Sequence, residues 1–305
     1  MNKAILIVFL ILSFYIGFIA YSDFNKFSSN LGQFKIELLP IVLSFSFISY
    51  LIMGIRQKFL LKKLGINLKI NESILLYFSG LTMIITPGGL GEAIKSYYLK
   101  KKYGISISKT FPLVLIERFH DLVVLVSVIG ITLIFLQINE VLILELIILP
   151  LIIITYLILK TRTLFKKIIN FLIRIRKLEK IFGKILESYD GIFQMLESRT
   201  TIISWGIGLV SQIFYILSIY FIFLGFDIDL GIIFTTEIVY SSILYGAISL
   251  LPGGVGLTEI STVNFLMDKG IEISLATSII IMVRMVTIWF ATVIGLASTR
   301  KILKK

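Results

Sequence analysis

The sequence predicts an all-α polytopic membrane protein with about six spanning helices and two re-entrant broken-helix hairpins, arranged as an inverted-topology repeat. Three observations lead there. The chain is 57% apolar with a mean hydropathy of +0.98, far from a soluble composition. Apolar runs of spanning length recur along it, and clusters of Lys and Arg separate them. The stretch Thr86-Pro87-Gly88-Gly89-Leu90-Gly91-Glu92 returns as Leu251-Pro252-Gly253-Gly254-Val255-Gly256-Leu257-Thr258-Glu259. Pro and Gly end a helix, and in hydrocarbon such a break is tolerated only where protein buries it or where it lines a cavity.

Taken in order, residues 4–20 are apolar behind Lys3; Phe18 stands where a signal-peptide cleavage site needs a small residue, so the run reads as a retained first span. Residues 38–55 form a second span ending in Arg56, Lys58, Lys62 and Lys63. Residues 72–86 are apolar but cover only roughly 22 Å as a helix, short of a ~30 Å hydrocarbon core. A second short run leads from Gly91 to Lys100, Lys101 and Lys102. Two short pieces hinged on Pro-Gly-Gly read as a re-entrant hairpin; the alternative is one long broken helix that crosses. Residues 110–136 and 141–159 are further spans. Residues 160–199 hold ten Lys/Arg against four Asp/Glu. Within them Leu178, Ile181, Phe182, Ile185, Tyr189, Ile192, Phe193 and Leu196 repeat at helical spacing, as a helix on a membrane surface or a linker packed on its own spans. Residues 201–224 cross again, 237–251 and 257–267 flank the second break, and 271–298 make the last span. The chain reads as a single integral membrane domain, 1–305. Repeat 1 covers about 38–136, the basic segment 160–199, and repeat 2 about 201–300.

The duplication extends beyond the glycines. Glu72 and Glu237 each precede their proline by fifteen residues, and Arg118 and Arg284 each follow a matched glycine, Gly104 or Gly270, by fourteen. The offset is 165 residues at the prolines and 166 at the arginines. With the N-terminus inside and both breaks re-entrant, 25 of the 30 Lys/Arg fall on the cytoplasmic side, and only Lys26, Lys35 and Lys269 outside. This arrangement puts the N- and C-termini in the cytoplasm of a multi-pass cell-membrane protein. It also inverts the two units, so that one hairpin enters from each side.

The chemistry on offer is limited. The net charge of +12 fits basic cytoplasmic loops and anionic lipid rather than nucleic acid. No cysteine and one histidine argue against disulfides and metal sites, and no nucleotide-binding motif is present, so no cofactor is expected. Glycines 88, 89, 91, 253, 254 and 256 free backbone N–H groups at the start of a half-helix, where an anion is favoured. Glu92 and Glu259 stand at that same start, as caps or as ligands. Arg118 and Arg284 lie inside apolar spans, where an unpaired charge costs about 2.5–3.5 kcal/mol on insertion scales. Arg118 has Glu117 and Asp121 nearby on its helix; Arg284 has no local acid, so its partner is Glu259 or a substrate. His120 reads as a buried hydrogen-bonding histidine.

The Pro-Gly-Gly-x-Gly-Glu break, the Glu117-Arg118-x-x-Asp121 element and Leu251 to Glu259 resemble the membrane region of the lysylphosphatidylglycerol synthase/flippase family, also called UPF0104, in its stand-alone form. The resemblance covers nearly the whole chain. It implies lipid translocation; synthesis of an aminoacyl-lipid belongs to a separate soluble domain in the multidomain relatives. With the chain ending at Lys305, that activity is not expected to carry over.

The sequence thus supports a translocase for an anionic phospholipid or a polyprenyl-phosphate-linked lipid, with membrane lipids as its partners. Its substrate residues would be Arg118, Arg284, Glu92, Glu259, Glu117, Asp121 and the six glycines, with no catalytic residue. Two alternatives stay open. One is an integral-membrane glycosyl- or aminoacyl-transferase using Glu92, Glu117 or Asp121. The other is a non-catalytic subunit working beside a glycosyltransferase. Its protein partners would be a second copy, as a homo-oligomer, or that glycosyltransferase.

Overall fold

The computed structural model describes residues 13–86, 91–136, 139–173, 186 and 189–303. Pro87, Gly88 and Gly89, most of the first expected span, and Leu178, Ile181, Phe182 and Ile185 of the basic segment lie outside the described residues. Every regular element described is helical. After a helical stretch at 13–21 come α1 (Phe24–Gln33), α2 (Leu39–Lys63), α3 (Ile70–Leu81), α4 (Ile94–Tyr103), α5 (Ile107–Leu136), α6 (Asn139–Lys160), α7 (Arg162–Ile173) and α8 (Tyr189–Met195). The second half holds α9 (Ser198–Gly225), α10 (Ile232–Ile248), α11 (Leu257–Met267), α12 (Ile273–Arg284) and α13 (Phe290–Leu303). A π-helical turn, Met285–Trp289, joins the last two into one long rod.

Four of these rods are long and apolar enough to cross a bilayer: Ile36–Lys63, Ile107–Leu136, Ser198–Gly225 and Ile273–Leu303. The count rises to five if α6 with α7, which meet at a bend of 100°, is taken as one span. The chain is therefore an all-α polytopic membrane protein. Beyond that bend, α7 and α8 turn Phe165, Ile169, Tyr189, Ile192 and Met195 onto the ends of α2 and α5. The described parts of the basic segment thus pack on the protein's own spans, and Phe193 stays exposed.

At the centre α2 and α9 lie against each other and run antiparallel. Lys63 pairs with Glu197 at one end, and at the other the Lys35 N–H donates to the Gly225 carbonyl at 2.9 Å. Between them the hydroxyls of Ser46 and Ser218, and of Ser49 and Ser211, meet at 2.8 Å. Small hydroxylated residues let two backbones approach in lipid, where apolar surface alone gives no preference for helix over tail.

Two apolar cores sit at opposite ends of this pair. One gathers Leu60, Leu61, Leu76, Leu99, Leu113 and Ile192, and holds the α3–α4 arm. The other gathers Val42, Ile222, Val239, Val263, Leu266 and Ile279, and holds the α10–α11 arm. The latter is an antiparallel helical hairpin. A Cβ on Gly246 would sit 2.0 Å from the Thr258 hydroxyl, so the two half-helices touch where only glycine fits. At its tip Leu250, Gly253, Gly254 and Gly256 all have positive φ. The tip also approaches the first arm: a Cβ on Gly253 would lie 3.1 Å from Ile85.

The arms are also exchanged between halves. The α3 helix packs on α13, where the Thr82 and Thr299 hydroxyls meet at 3.1 Å, and α10 packs on α5 through Tyr240, Leu244, Val124 and Ile129. At the α3–α13 crossing a Cβ on Gly295 would stand 2.4 Å from the Thr82 backbone nitrogen. Backbone cannot yield as a side chain can, so Gly295→Val should cost about 1–3 kcal/mol by overpacking. A lower midpoint of thermal unfolding in detergent checks this; an unchanged midpoint would mean that the crossing is looser than described.

Candidate functional site

Six charges meet where α2, α4 and α5 converge, and they alternate in sign. Arg56 of α2 makes a close hydrogen bond to Asp121 of α5. Asp121 also pairs with Arg118 at 2.8 Å. Arg118 reaches Glu92, just before α4, at 3.3 Å. Glu92 accepts from Lys95 at 3.0 Å, and Lys95 donates to Glu117 of α5 at 2.6 Å. Three cations balance three anions, which is how buried charge is tolerated.

Local structure explains why each side chain is there. Glu117 and Asp121 share one face of α5, four residues apart, and Arg118 lies beside them. Lys95 can pass between α3 and α4 because Gly80 leaves room: a Cβ there would be 2.8 Å from the Lys95 Cδ. Its ammonium then sits 5.5 Å from the centre of the Tyr77 ring. Arg56 enters the same way beside Gly208, where a Cβ would come within 2.7 Å of Val124 and 3.4 Å of the Arg56 Nη1.

Arg56 and Lys95 are two basic residues that the structure buries: they are 1% and 0% exposed. The physical reason is the acid pair on α5: it needs cations, and Gly208 and Gly80 open the way to it. Lys95 was not among the expected site residues. The signal for it was faint, a lysine three residues after Glu92 and set apart from Lys100, Lys101 and Lys102.

Arg118 and Asp121 keep about a quarter of their side-chain surface exposed, and that surface faces a cavity of about 450 Å³. The cavity lies near the midpoints of α2, α5 and α9. Glu92 joins the charged wall, and Tyr50, Tyr77, Tyr215 and Tyr240 form much of the rest. Tyr50 donates to the Thr287 carbonyl at 2.7 Å, inside the π-helical turn that follows Arg284, and Tyr240 donates to Gln212 at 2.5 Å. Polar groups converging inside an otherwise apolar hollow are the usual form of a small-ligand site.

The second unit is simpler. Arg284 Nε donates to Glu259 at 2.7 Å, and both side chains are buried. Glu259 also accepts from the Gly256 N–H at 2.8 Å and from the Tyr15 hydroxyl at 2.9 Å. It therefore caps α11 and pairs with Arg284 at once. This pair stands apart from the cavity. Gly91 donates its N–H to the Thr86 hydroxyl at 2.7 Å. His120 is buried, with Nδ1 2.8 Å from the Ser204 hydroxyl. Among the described residues no group of His, Asp and Glu is arranged to hold a metal ion.

A multi-pass helical membrane protein with a central cavity walled by a buried, balanced charge string is thus the class that fold and site define. The chain belongs to the lysylphosphatidylglycerol synthase TM region family, whose pattern it matches over residues 4–295. It is similar to a UPF0104 membrane protein of Pyrococcus horikoshii, 27% identical over 282 residues that cover 81% of this chain and 82% of the relative. Two UPF0104 membrane proteins of Methanocaldococcus jannaschii also match. One is 30% identical over 69% of this chain and 89% of its own, the other 24% identical over 96% and 93%.

Removing the cation between Glu92 and Glu117 tests the energetics of the string. Lys95→Met leaves Glu92 and Glu117 without their shared partner and should lower stability by about 3–5 kcal/mol. Adding Glu117→Gln should recover part of that loss, because the two sites are in contact and couple. Thermal unfolding of the four proteins of the cycle in detergent reads the coupling; strictly additive effects would mean that the pair does not interact.

Proposed function

We propose that this protein is a flippase-like lipid translocase, moving an anionic phospholipid or a polyprenyl-phosphate-linked lipid between leaflets. What carries the proposal is the mid-depth cavity that presents Arg118, Asp121 and Glu92 inside an apolar helical body. A charged headgroup needs such a wall to leave water, while its chains remain in hydrocarbon.

In this account Arg118 binds the lipid phosphate. Of the three cations in the string it is the one that lines the cavity, and its Nε has no hydrogen-bond partner. A guanidinium has five donors and grips phosphate in a planar, bidentate way. Asp121, Glu92 and Glu117 hold the string in place, and Arg56 and Lys95 stand behind it. The glycines at 91, 253, 254 and 256 let the two breaks and the headgroup approach closely.

Alternating access follows from an inverted repeat. Its support is the matched order of elements, α2 to α5 against α9 to α13, the antiparallel α2–α9 pair, and the two arms anchored at opposite ends. The α3–α4 arm then re-enters from the cytoplasm and α10–α11 from outside. Arg284, held here by Glu259, takes the phosphate when the other side opens.

Orientation can be read from single cysteines, since the chain has none. Lys101→Cys and Asp268→Cys place a thiol on exposed positions of the two arms. In intact cells an impermeant reagent should label the second and spare the first. The reverse pattern would overturn the orientation, and equal labelling would overturn the inverted repeat.

Transport is tested with purified protein in liposomes, a fluorescent anionic lipid and an impermeant quencher. Wild type should expose lipid of the inner leaflet, Arg118→Ala should slow this roughly tenfold or more, from the loss of charge-assisted bonds, and Arg118→Lys should keep part of the rate. If Arg118→Ala is folded and as fast as wild type, the phosphate contact is elsewhere. If the protein instead converts a lipid-linked donor to product, it is a transferase.

A further inference from the structure

Among the described residues, Glu237 is the buried acid that neither the charge string nor the Arg284–Glu259 pair absorbs. Its counterpart Glu72 is an ordinary cap at the start of α3: it accepts from the Lys69 N–H at 3.1 Å and the Tyr103 hydroxyl at 2.9 Å, and these bonds hold its carboxyl below the usual range. Glu237 sits five residues inside α10 and caps nothing. It is 1% exposed, and among the described residues no cation pairs with it. Its contacts are hydroxyls: Ser241 donates to Oε1 at 2.7 Å, and Thr132 of α5 lies in close hydrogen-bond contact with Oε2.

Counting protons at that contact is informative. Thr132 has one hydroxyl hydrogen and three acceptors in reach: Oε2 of Glu237 and the carbonyls of Ile129, at 2.8 Å, and Val128, at 3.3 Å. Where that hydrogen stays with Ile129, the Thr132 oxygen is an acceptor toward Glu237 and the bridging hydrogen is the carboxyl's. The other neighbours agree. From α6, the Glu145 carboxyl lies over Gly130 of α5, one oxygen 2.7 Å from where a Cβ would be, so a second acid faces the same region. From α9, Tyr215 and Gln212 meet Tyr240 rather than Glu237. From α11 comes Phe265, and Lys269 beyond it covers the ring of Phe234 at 4.2 Å. A bare carboxylate in this setting would be desolvated and unpaired.

We propose that Glu237 is a proton-binding site, a neutral carboxylic acid in this conformation, and that its proton locks the α10–α11 arm against α5. The step is a single proton transfer: hydronium gives its proton to a carboxylate oxygen, an O–H bond forms, and water is left. Loss of the proton places a charge against Thr132 and near Glu145, which loosens the α5–α10 contact and frees the arm. Glu237, Thr132 and Glu145 all lie within two turns of the helix ends nearest residues 226–231 and the α5–α6 turn, so the proton enters from that face. Coupling to transport rests on the translocase account; the proton site itself does not.

Infrared spectroscopy of the purified full chain in liposomes tests the site without any lipid assay. Wild type at neutral pH should show a carboxylic C=O stretch that shifts on exchange into D₂O and is missing in Glu237→Gln, which keeps the shape of the neutral acid. Thr132→Val should move the same band, because the acceptor is gone, and this variant carries the test if Glu237→Gln folds poorly. No protonated-carboxyl band that depends on Glu237 or Thr132 would overturn the proposal. In the liposome assay, a pH gradient should accelerate lipid movement by wild type and leave Glu237→Gln unaffected. A band that is present while wild type ignores the gradient would keep the proton site and overturn its coupling.

Discussion

Charge in hydrocarbon persists only beside countercharge, and the alternating string from Arg56 to Glu117 is the constraint on which the first half of this molecule depends. It joins three elements that the apolar effect alone would not distinguish, because lipid tails are as apolar as the helix faces. Lys95 fixes α4 against α5 through Glu117 and against its own break through Glu92. Arg56 does the same for α2. Arg118 is thereby presented to the cavity with its partners already in place.

The second half meets the same requirement with fewer parts. Among the described residues its buried ion pair is Arg284 with Glu259, and Glu259 also satisfies the first orphan donor of α11. Just beyond Arg284 the helix widens into a π turn, whose Thr287 carbonyl takes the Tyr50 hydroxyl. Such turns are concentrated at functional sites, because the extra residue re-aims side chains and opens backbone groups to outside donors. Tyr50 lines the cavity, so one hydrogen bond links the cavity wall to the helix that bears the second arginine.

Much of this was legible in the sequence, for reasons that can be named. The crossing rods follow from apolar length, and the broken arms from paired Pro-Gly-Gly runs. The Arg284–Glu259 contact follows from an arginine without a local acid and a glutamate at the equivalent break. Lys95 and Arg56 were not legible, because each sits in a basic-looking stretch at the edge of an apolar run. Whether such a residue faces water or protein depends on the rotational phase of its helix. For Lys95 that phase is set across the break, and for both it is set by glycines far away in sequence, Gly80 and Gly208. The burial of Glu237 was hidden in a similar way: it matches Glu72 in its distance from the proline, but α10 begins five residues before it, whereas α3 begins two residues before Glu72.

The central claim is that Arg118 holds a lipid phosphate at the midpoint of the bundle. Native mass spectrometry of the protein extracted gently from its membrane tests it most directly. The wild-type protein should carry a bound lipid that bears a phosphate, and Arg118→Ala, equally folded, should lose it. Retention of the same lipid by both proteins, or a wild-type protein that carries only lipids without phosphate, would contradict the account.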